Sequence, residues 1–227
     1  TLSFLNNDLG DSVKGIQNYF QDVYGSIKTI FNQNFVCALI AIGYALATVN
    51  FHTYTEFPVL VIYSQNGNTG KSTLTRLMSH LMGYNEKNIS SKQTIASMSS
   101  NITTILNSFL VCDDYSDSEQ EFEKLVKQLY TKDGGDDYYK QFKVNCALVI
   151  STNKEYCKQL DTVQRRVLKL HLSSPTRSTR SEFKEYQEKI KSCSSILQLV
   201  TQIDFHDKEV QDLKKNTDEY VTEILGD

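Results

Sequence analysis

Lys71 and Ser72 close the stretch VLVIYSQNGNTGKST, Val59 to Thr73, whose residue types suit one task, the holding of nucleotide phosphates. Gly67 and Gly70 would let the backbone curl so that successive N–H groups, from Asn68 through Thr73, point at phosphate oxygens. Lys71 would place a point charge on the β- and γ-phosphates, and the Ser72 hydroxyl would complete the shell of a Mg²⁺ ion. Thr69 and Thr73 fall inside the same cradle. The apolar run before the loop reads as a strand. The residues after Gly70 read as a helix from Lys71 to about Met82, whose N-terminal dipole favours the same anion. Gln65 occupies the place where the phosphate-loop pattern has its first glycine, and Gly67 is expected to take over part of that turn. The bland alternative is a surface turn that carries a lysine.

Three further groups fit a nucleotide-hydrolysing site. Phe109 to Cys112 is an apolar run that ends on Asp113-Asp114. The first carboxylate suits the water shell of Mg²⁺ and the second suits orienting or deprotonating an attacking water. Acidic residues end many strands, so the position downstream of Lys71 carries the weight. CALVI, Cys146 to Ile150, ends on Ser151-Thr152-Asn153, and Asn153 at a strand's carboxyl end is placed to hold the water or touch the γ-phosphate. Asparagine is also common in turns. Arg165 and Arg166 precede the alternating strand Val167 to Leu172. Arginine suits a transition-state clamp because its fork stays charged and binds phosphate through two donors. A surface ion pair is the ordinary role of such a pair.

The elements that must position these groups follow from periodicity. Val13, Ile16, Phe20, Val23, Ile27 and Ile30 mark an amphipathic helix over Ser12 to Phe31, and Phe35 to Val49 reads as a buried helix. At 15 residues the latter falls short of the roughly 18 to 20 needed to span a bilayer, so no membrane partner is expected. The polar stretch after the Lys71 helix reads as a connecting loop and a helix from Thr94 to Leu106. Phe122, Leu125, Val126 and Leu129 predict a helix over Ser118 to Tyr130 with Ser118 as its N-cap. Gly134-Gly135 then marks a hairpin tip. Tyr138, Tyr139 and Phe142 alternate there with Lys140 and Lys143, a pattern that suits stacking and charge contacts to a single nucleic-acid strand, with Tyr139, Lys140 and Lys143 as the candidates. Asp133, Asp136 and Asp137 would repel phosphate, so a solvated hairpin is the equal alternative. Beyond Pro175 come a linker and helices around Ser181 to Lys191, Ser194 to Ile203 and Lys208 to Leu225, with charges that offset one another.

Composition sets the bounds. The 227 residues are 40% hydrophobic and 22% charged, enough for one sizeable core with helical additions. A net charge of −3 gives no overall drive toward nucleic acid, so any such contact must be local. Cys37, Cys112, Cys146, Cys157 and Cys193 are an odd number without paired spacing, which favours reduced thiols in an intracellular protein over disulfides or zinc. The sequence opens on Thr1, as a piece of a longer polypeptide would. The expected organisation is a helical lead-in over 1–57, a nucleotide-binding α/β core over 58–174 and a helical segment over 175–227.

Taken in order, these four motifs resemble those of the superfamily 3 helicases, AAA+ replicative motors of small viruses, phages and plasmids. Asn68-Thr69-Gly70-Lys71-Ser72 resembles the family's Walker A, Asp113-Asp114 its doubled-acid Walker B, and VISTN ending at Asn153 its motif C. TVQRRVLKLHL is similar to the segment in which an arginine reaches into the neighbouring subunit's ATP site, a register that makes Arg166 the finger and Arg165 a second candidate. The family's DNA-gripping hairpin falls in the interval that contains Gly134 to Lys143. The resemblance implies a P-loop AAA+-type parallel sheet flanked by helices, and a hexameric ring that hydrolyses ATP with Mg²⁺ at subunit interfaces. It also implies translocation on single-stranded DNA, with a primase or initiator domain as the expected fusion partner. A nucleotide-switched assembly protein that does not unwind is the alternative from another class. A small-molecule kinase would leave Asn153 and the arginines without a special role.

Overall fold

The apolar runs that end in polar chemistry become neighbouring strands. The computed structural model describes residues 24–84, 89–91, 101–132, 143–156 and 161–173, together with positions 184, 185 and 188. One sheet contains β1 (Val59–Tyr63), β2 (Ile89–Ser91), β3 (Phe109–Asp113), β4 (Ala147–Thr152) and β5 (Val167–His171), in the order β2-β3-β4-β1-β5. Every neighbouring pair is parallel. All positions of β1 and β4 are buried, as are the first four of β3, so both faces of the sheet's centre are covered. This is why these segments read as continuous apolar runs and not as alternating ones. β5, at an edge, is only partly buried.

The helices are α1 (residues 24–31), α2 (Phe35–Ala47), α3 (Lys71–Leu81), α4 (residues 101–104), α5 (Glu119–Tyr130) and α6 (Asp161–Gln164). α5 starts on the expected capping box: Glu121 N donates to Ser118 Oγ at 3.3 Å, and Ser118 N donates to Glu121 Oε2 at 3.1 Å. Two otherwise unpaired backbone and side-chain groups are thereby satisfied at once. Phe122, Leu125, Val126 and Leu129 face the core, as their spacing predicts.

Two readings of the sequence need correction. The polar stretch after α3 is more than a connector, because Ile89–Ser91 pairs with Val111–Asp113 as an edge strand. Three residues, one of them apolar, are too few to show a strand period. In the same stretch, the helix expected to run to Leu106 has ended by residue 105, and Leu106 is 69% exposed. The lead-in is also longer than the membrane-length argument assumed. Tyr24–Thr53 forms one helical run of 30 residues, long and apolar enough by length and composition to cross a membrane. Its backbone is interrupted, however, at Asn32 (φ 42°) and Asn50 (φ −100°, ψ 22°). Ile27, Ile30, Phe31, Ala38, Ala41, Tyr44 and Ala45 join the same core as the strands. The Tyr44 hydroxyl lies 2.7 Å from the Pro58 carbonyl and 3.2 Å from that of Leu148, which ties α2 to β1 and β4. The Gly134-Gly135 hairpin and most of the segment beyond Pro175 lie outside the described residues; positions 184, 185 and 188 are helical.

Among the cysteines, Cys112 and Cys146 are buried, whereas Cys37 is only half-buried. Burial pushes the Cys146 thiol up from 9.0 to about 12. A raised folded-state value favours the neutral thiol, so its contribution to stability is complete below about pH 9 and is lost as pH climbs from there toward 12. We expect Cys146 to resist a thiol reagent at pH 8 and to react once urea unfolds the chain, as read by mass-spectrometric mapping of the modified peptides. Labelling of Cys146 in the folded protein at the rate of an exposed thiol would contradict this.

Candidate functional site

The loop between β1 and α3 turns on Asn68 (φ 56°) and Gly70 (φ 90°). Asparagine tolerates the left-handed region, so Asn68, and not Gly67, replaces the glycine that the pattern lacks. A methyl group at Gly67 would meet nothing within 4 Å. Gly70→Ala should therefore cost about 1–2 kcal/mol, roughly 2–8 °C in melting temperature for a chain of this size, while Gly67→Ala should leave it unchanged. Thermal melts of the two variants check this; equal losses would refute the assignment of the turn.

Gly70 caps α3, and the next residue, Lys71, is only 8% exposed. Its Nζ lies 3.4 Å from the carbonyls of Ser64 and Asn66, both in the half of the loop that leaves β1. Burial pulls the Lys71 ammonium below its usual range, and the charges of Asp114 and Asp113 act in the opposite direction. Ser72 Oγ donates to Asp113 Oδ2 at 3.2 Å, so the helix start and the end of β3 are joined at the serine and the first acid. The second acid, Asp114, is exposed and left-handed (φ 56°) as the chain turns away from β3.

β4 lies between β3 and β1, so Asn153 follows directly beyond the Tyr63–Thr152 pair, in the middle of the carboxyl edge. Ser64 N donates to the Thr152 carbonyl at 3.3 Å, which sets Asn153 beside the start of the loop. The Asn153 side chain is exposed. Its turn is held by Thr152, whose hydroxyl donates to Tyr115 O at 2.9 Å and accepts from Lys154 N at 3.0 Å. Lys154 Nζ in turn donates to the Ser116 carbonyl. The loops after β3 and β4 are thus one bonded unit.

Thr69 Oγ1, Asp113 Oδ1 and Ser151 Oγ are buried without a hydrogen-bond partner, and all three belong to this edge. Buried polar atoms are normally paired. Their concentration where Lys71 and Ser72 sit fits a group that brings its own oxygens, such as a phosphate with a hydrated cation. Among the described residues no cluster of three or more His, Cys, Asp or Glu side chains could hold a metal alone. The Ser72 hydroxyl and the Asp113 carboxylate, side by side here, fit Mg²⁺, which is commonly held by one or two carboxylates together with phosphates and water.

Arg165 and Arg166 are not brought to this edge. The Arg166 carbonyl accepts from Val59 N at 3.0 Å, at the start of β1, and its guanidinium lies over the Tyr130 ring, 5.7 Å from the centroid. The five steps from Val59 to Ser64 rise about 16 Å along the strand, which puts Lys71 beyond the reach of Arg166 in the same chain. Lys143 is exposed at the amino edge just before β4. Tyr139 and Lys140 lie outside the described residues.

One positioning residue escaped the sequence reading. Asn34, 1% exposed, donates from Nδ2 to the Thr69 carbonyl at 3.5 Å and accepts from Ser173 N at 3.1 Å. The lead-in thus touches the glycine loop itself. Its signal in the sequence is the polar break Asn32-Gln33-Asn34 between two apolar helices.

No protein-family model matches the sequence, and no curated protein does. Among solved structures, the chain is similar to SCCmec type IV Cch, an active helicase, at 14% identity and a TM-score of 0.65, over 91% of this chain and 41% of that one. It is similar to the C-terminal region of NrS-1, in an A-form apo structure, at 15% identity and a TM-score of 0.50, over 84% of this chain and 50% of that one. The chain therefore spans half or less of the length of these structures. What the likeness establishes is the fold: a parallel α/β sheet with flanking helices, of the kind that the Cch helicase carries.

Proposed function

We propose that this chain is the ATP-hydrolysing motor of a superfamily 3-type replicative DNA helicase, working as a hexameric ring on single-stranded DNA. The observation that carries the reading is the joining of Lys71, Ser72 and Asp113 at the carboxyl edge of a parallel sheet, among buried polar atoms that lack partners. In this reading residues 67–73 form a P-loop around the ATP phosphates. Ser72 and Asp113 would hold Mg²⁺, which when bound neutralises charge on the β- and γ-phosphates. Asp114 orients or deprotonates the attacking water, and Asn153 contacts the γ-phosphate. Arg166, with Arg165 as the second candidate, serves the neighbouring subunit, and this gives the ring its chemical reason. The likeness to an active helicase supports the reading at the level of fold.

The test is steady-state ATP hydrolysis across protein concentration, with and without single-stranded DNA. Specific activity that rises with concentration and is stimulated by DNA is the expected result. Nucleotide binding with flat, unstimulated hydrolysis in a chain shown to assemble would overturn the motor and leave a nucleotide-switched assembly protein.

A further inference from the structure

The turn that carries Asp114 is held from outside itself. Asp114 is exposed and left-handed, with φ at 56°. A residue with a side chain keeps that conformation where its surroundings over-determine it, although aspartate tolerates it better than most. Upstream, β3 is fixed by its pairing with β4. Downstream, three consecutive residues are bound one after another. Tyr115 N donates to the Ser151 carbonyl at 2.9 Å, and the Tyr115 carbonyl accepts from Thr152 Oγ1 at 2.9 Å. The Ser116 carbonyl accepts from Lys154 Nζ. The Asp117 carbonyl accepts from Lys154 Nζ at 3.4 Å and from the Tyr156 hydroxyl at 2.9 Å. All of these partners belong to the end of β4 or to the residues just after it.

Lys154 differs from the other partners in what it gives up. Tyr115, Thr152 and Tyr156 are buried, and the Tyr115 ring packs on Phe122 and Tyr156 with centroids 5.9 and 5.6 Å away, so their polar bonds come with burial. Lys154 is exposed and could leave its ammonium in water, as surface lysines ordinarily do. Instead the ammonium, with three donors and no acceptor, bonds two carbonyls of the turn at once, and bonds from a charged donor are stronger than neutral ones. One end of this side chain is joined to the residue next to Asn153, and the other grips the second and third residues after Asp114. The carboxylate and the asparagine are therefore set relative to one another by a side chain whose ammonium bonds only backbone carbonyls among the described residues.

We propose that Lys154 is a positioning residue for hydrolysis, which by clasping the Ser116 and Asp117 carbonyls holds Asp114 in its place relative to Asn153. The assignment deepens, and rests on, the roles given above to Asp114 and Asn153. Misplacement of a reacting group by about 1 Å can cost on the order of a hundredfold in rate, so loosening the clasp should act on turnover. Nucleotide binding should be spared, because the loop over residues 67–73 follows β1 and receives no bond from Lys154.

The experiment is ATP hydrolysis by Lys154→Met and Lys154→Arg chains, with affinity measured in parallel by titration with a fluorescent, non-hydrolysable ATP analogue. Lys154→Met, which keeps an unbranched apolar stem and removes the donors, should lower kcat about tenfold or more. Its affinity and KM should stay within about twofold of the original. Lys154→Arg, which restores charge and donors, should recover most of the loss. In an Asp114→Asn chain, whose residual hydrolysis is followed in single-turnover reactions, adding Lys154→Met should cost less than about twofold, because a residue that acts through Asp114 has nothing left to position. Unchanged kcat in Lys154→Met overturns the assignment; the role of Asp114 stands if Asp114→Asn has lost turnover and falls too if it has not. An equal loss with and without Asp114 makes Lys154 act independently and overturns the assignment. So does a matching loss of affinity, which would put the ammonium on the nucleotide itself. Absence of hydrolysis by the unaltered chain overturns both this assignment and the motor reading.

Discussion

Replacing Lys71 by alanine is expected to lower ATP hydrolysis by at least about a hundredfold, the scale for removing one preorganised charge from a developing transition state. Binding should fall as well. The Lys71 ammonium is buried against the loop carbonyls of Ser64 and Asn66, and it feels the charges of Asp114 and Asp113. Without it, two carboxylates face the phosphates with only Mg²⁺ to offset them. The fold should survive, because the loop keeps its turn at Asn68 and Gly70 and its tie to Asn34 through the Thr69 carbonyl. Phosphate release and nucleotide titration, alongside a thermal melt, separate these effects. Undiminished turnover in a Lys71→Ala chain of normal stability would place the hydrolytic site elsewhere.

How much was legible beforehand depended on how local each signal was. β1, β3 and β4 are buried on both faces, so their apolar runs could be read directly, and the polar residues that follow them mark the edge where the site forms. Ser118 and Glu121 announced α5 because a capping box is a contact between residues three apart. β2 was missed because its evidence is long-range: Ile89–Ser91 is a strand only by virtue of pairing with β3. Asn34 was missed for the same reason, since its partners, Thr69 and Ser173, are distant in sequence. The sequence pattern gives Gly67 part of the turn, whereas the positive φ values fall at Asn68 and Gly70.

Arg166→Ala is expected to reduce hydrolysis by roughly a thousandfold or more, the worth of an arginine supplied to a phosphoryl-transfer site, while nucleotide binding stays near its original strength. The geometry makes the origin of that loss testable. Arg166 sits level with Val59, about 16 Å along the strand from Ser64, with its guanidinium over Tyr130, so it cannot serve the Lys71 site of its own chain. If it acts at all, it acts on a neighbour. Two inactive variants should then rescue each other: in an equal mixture of Lys71→Ala and Arg166→Ala chains, roughly a quarter of the head-to-tail interfaces pair an intact Lys71 with an intact Arg166. Hydrolysis by the mixture should rise well above that of either variant alone. If the mixture stays as inactive as its parts although the chains co-assemble, Arg166 is structural, its guanidinium serving to hold α5 against the start of β5 through Tyr130. Loss of nucleotide binding in Arg166→Ala equal to the loss of turnover would point the same way, because a clamp that acts only in the transition state has little to contribute to the ground state.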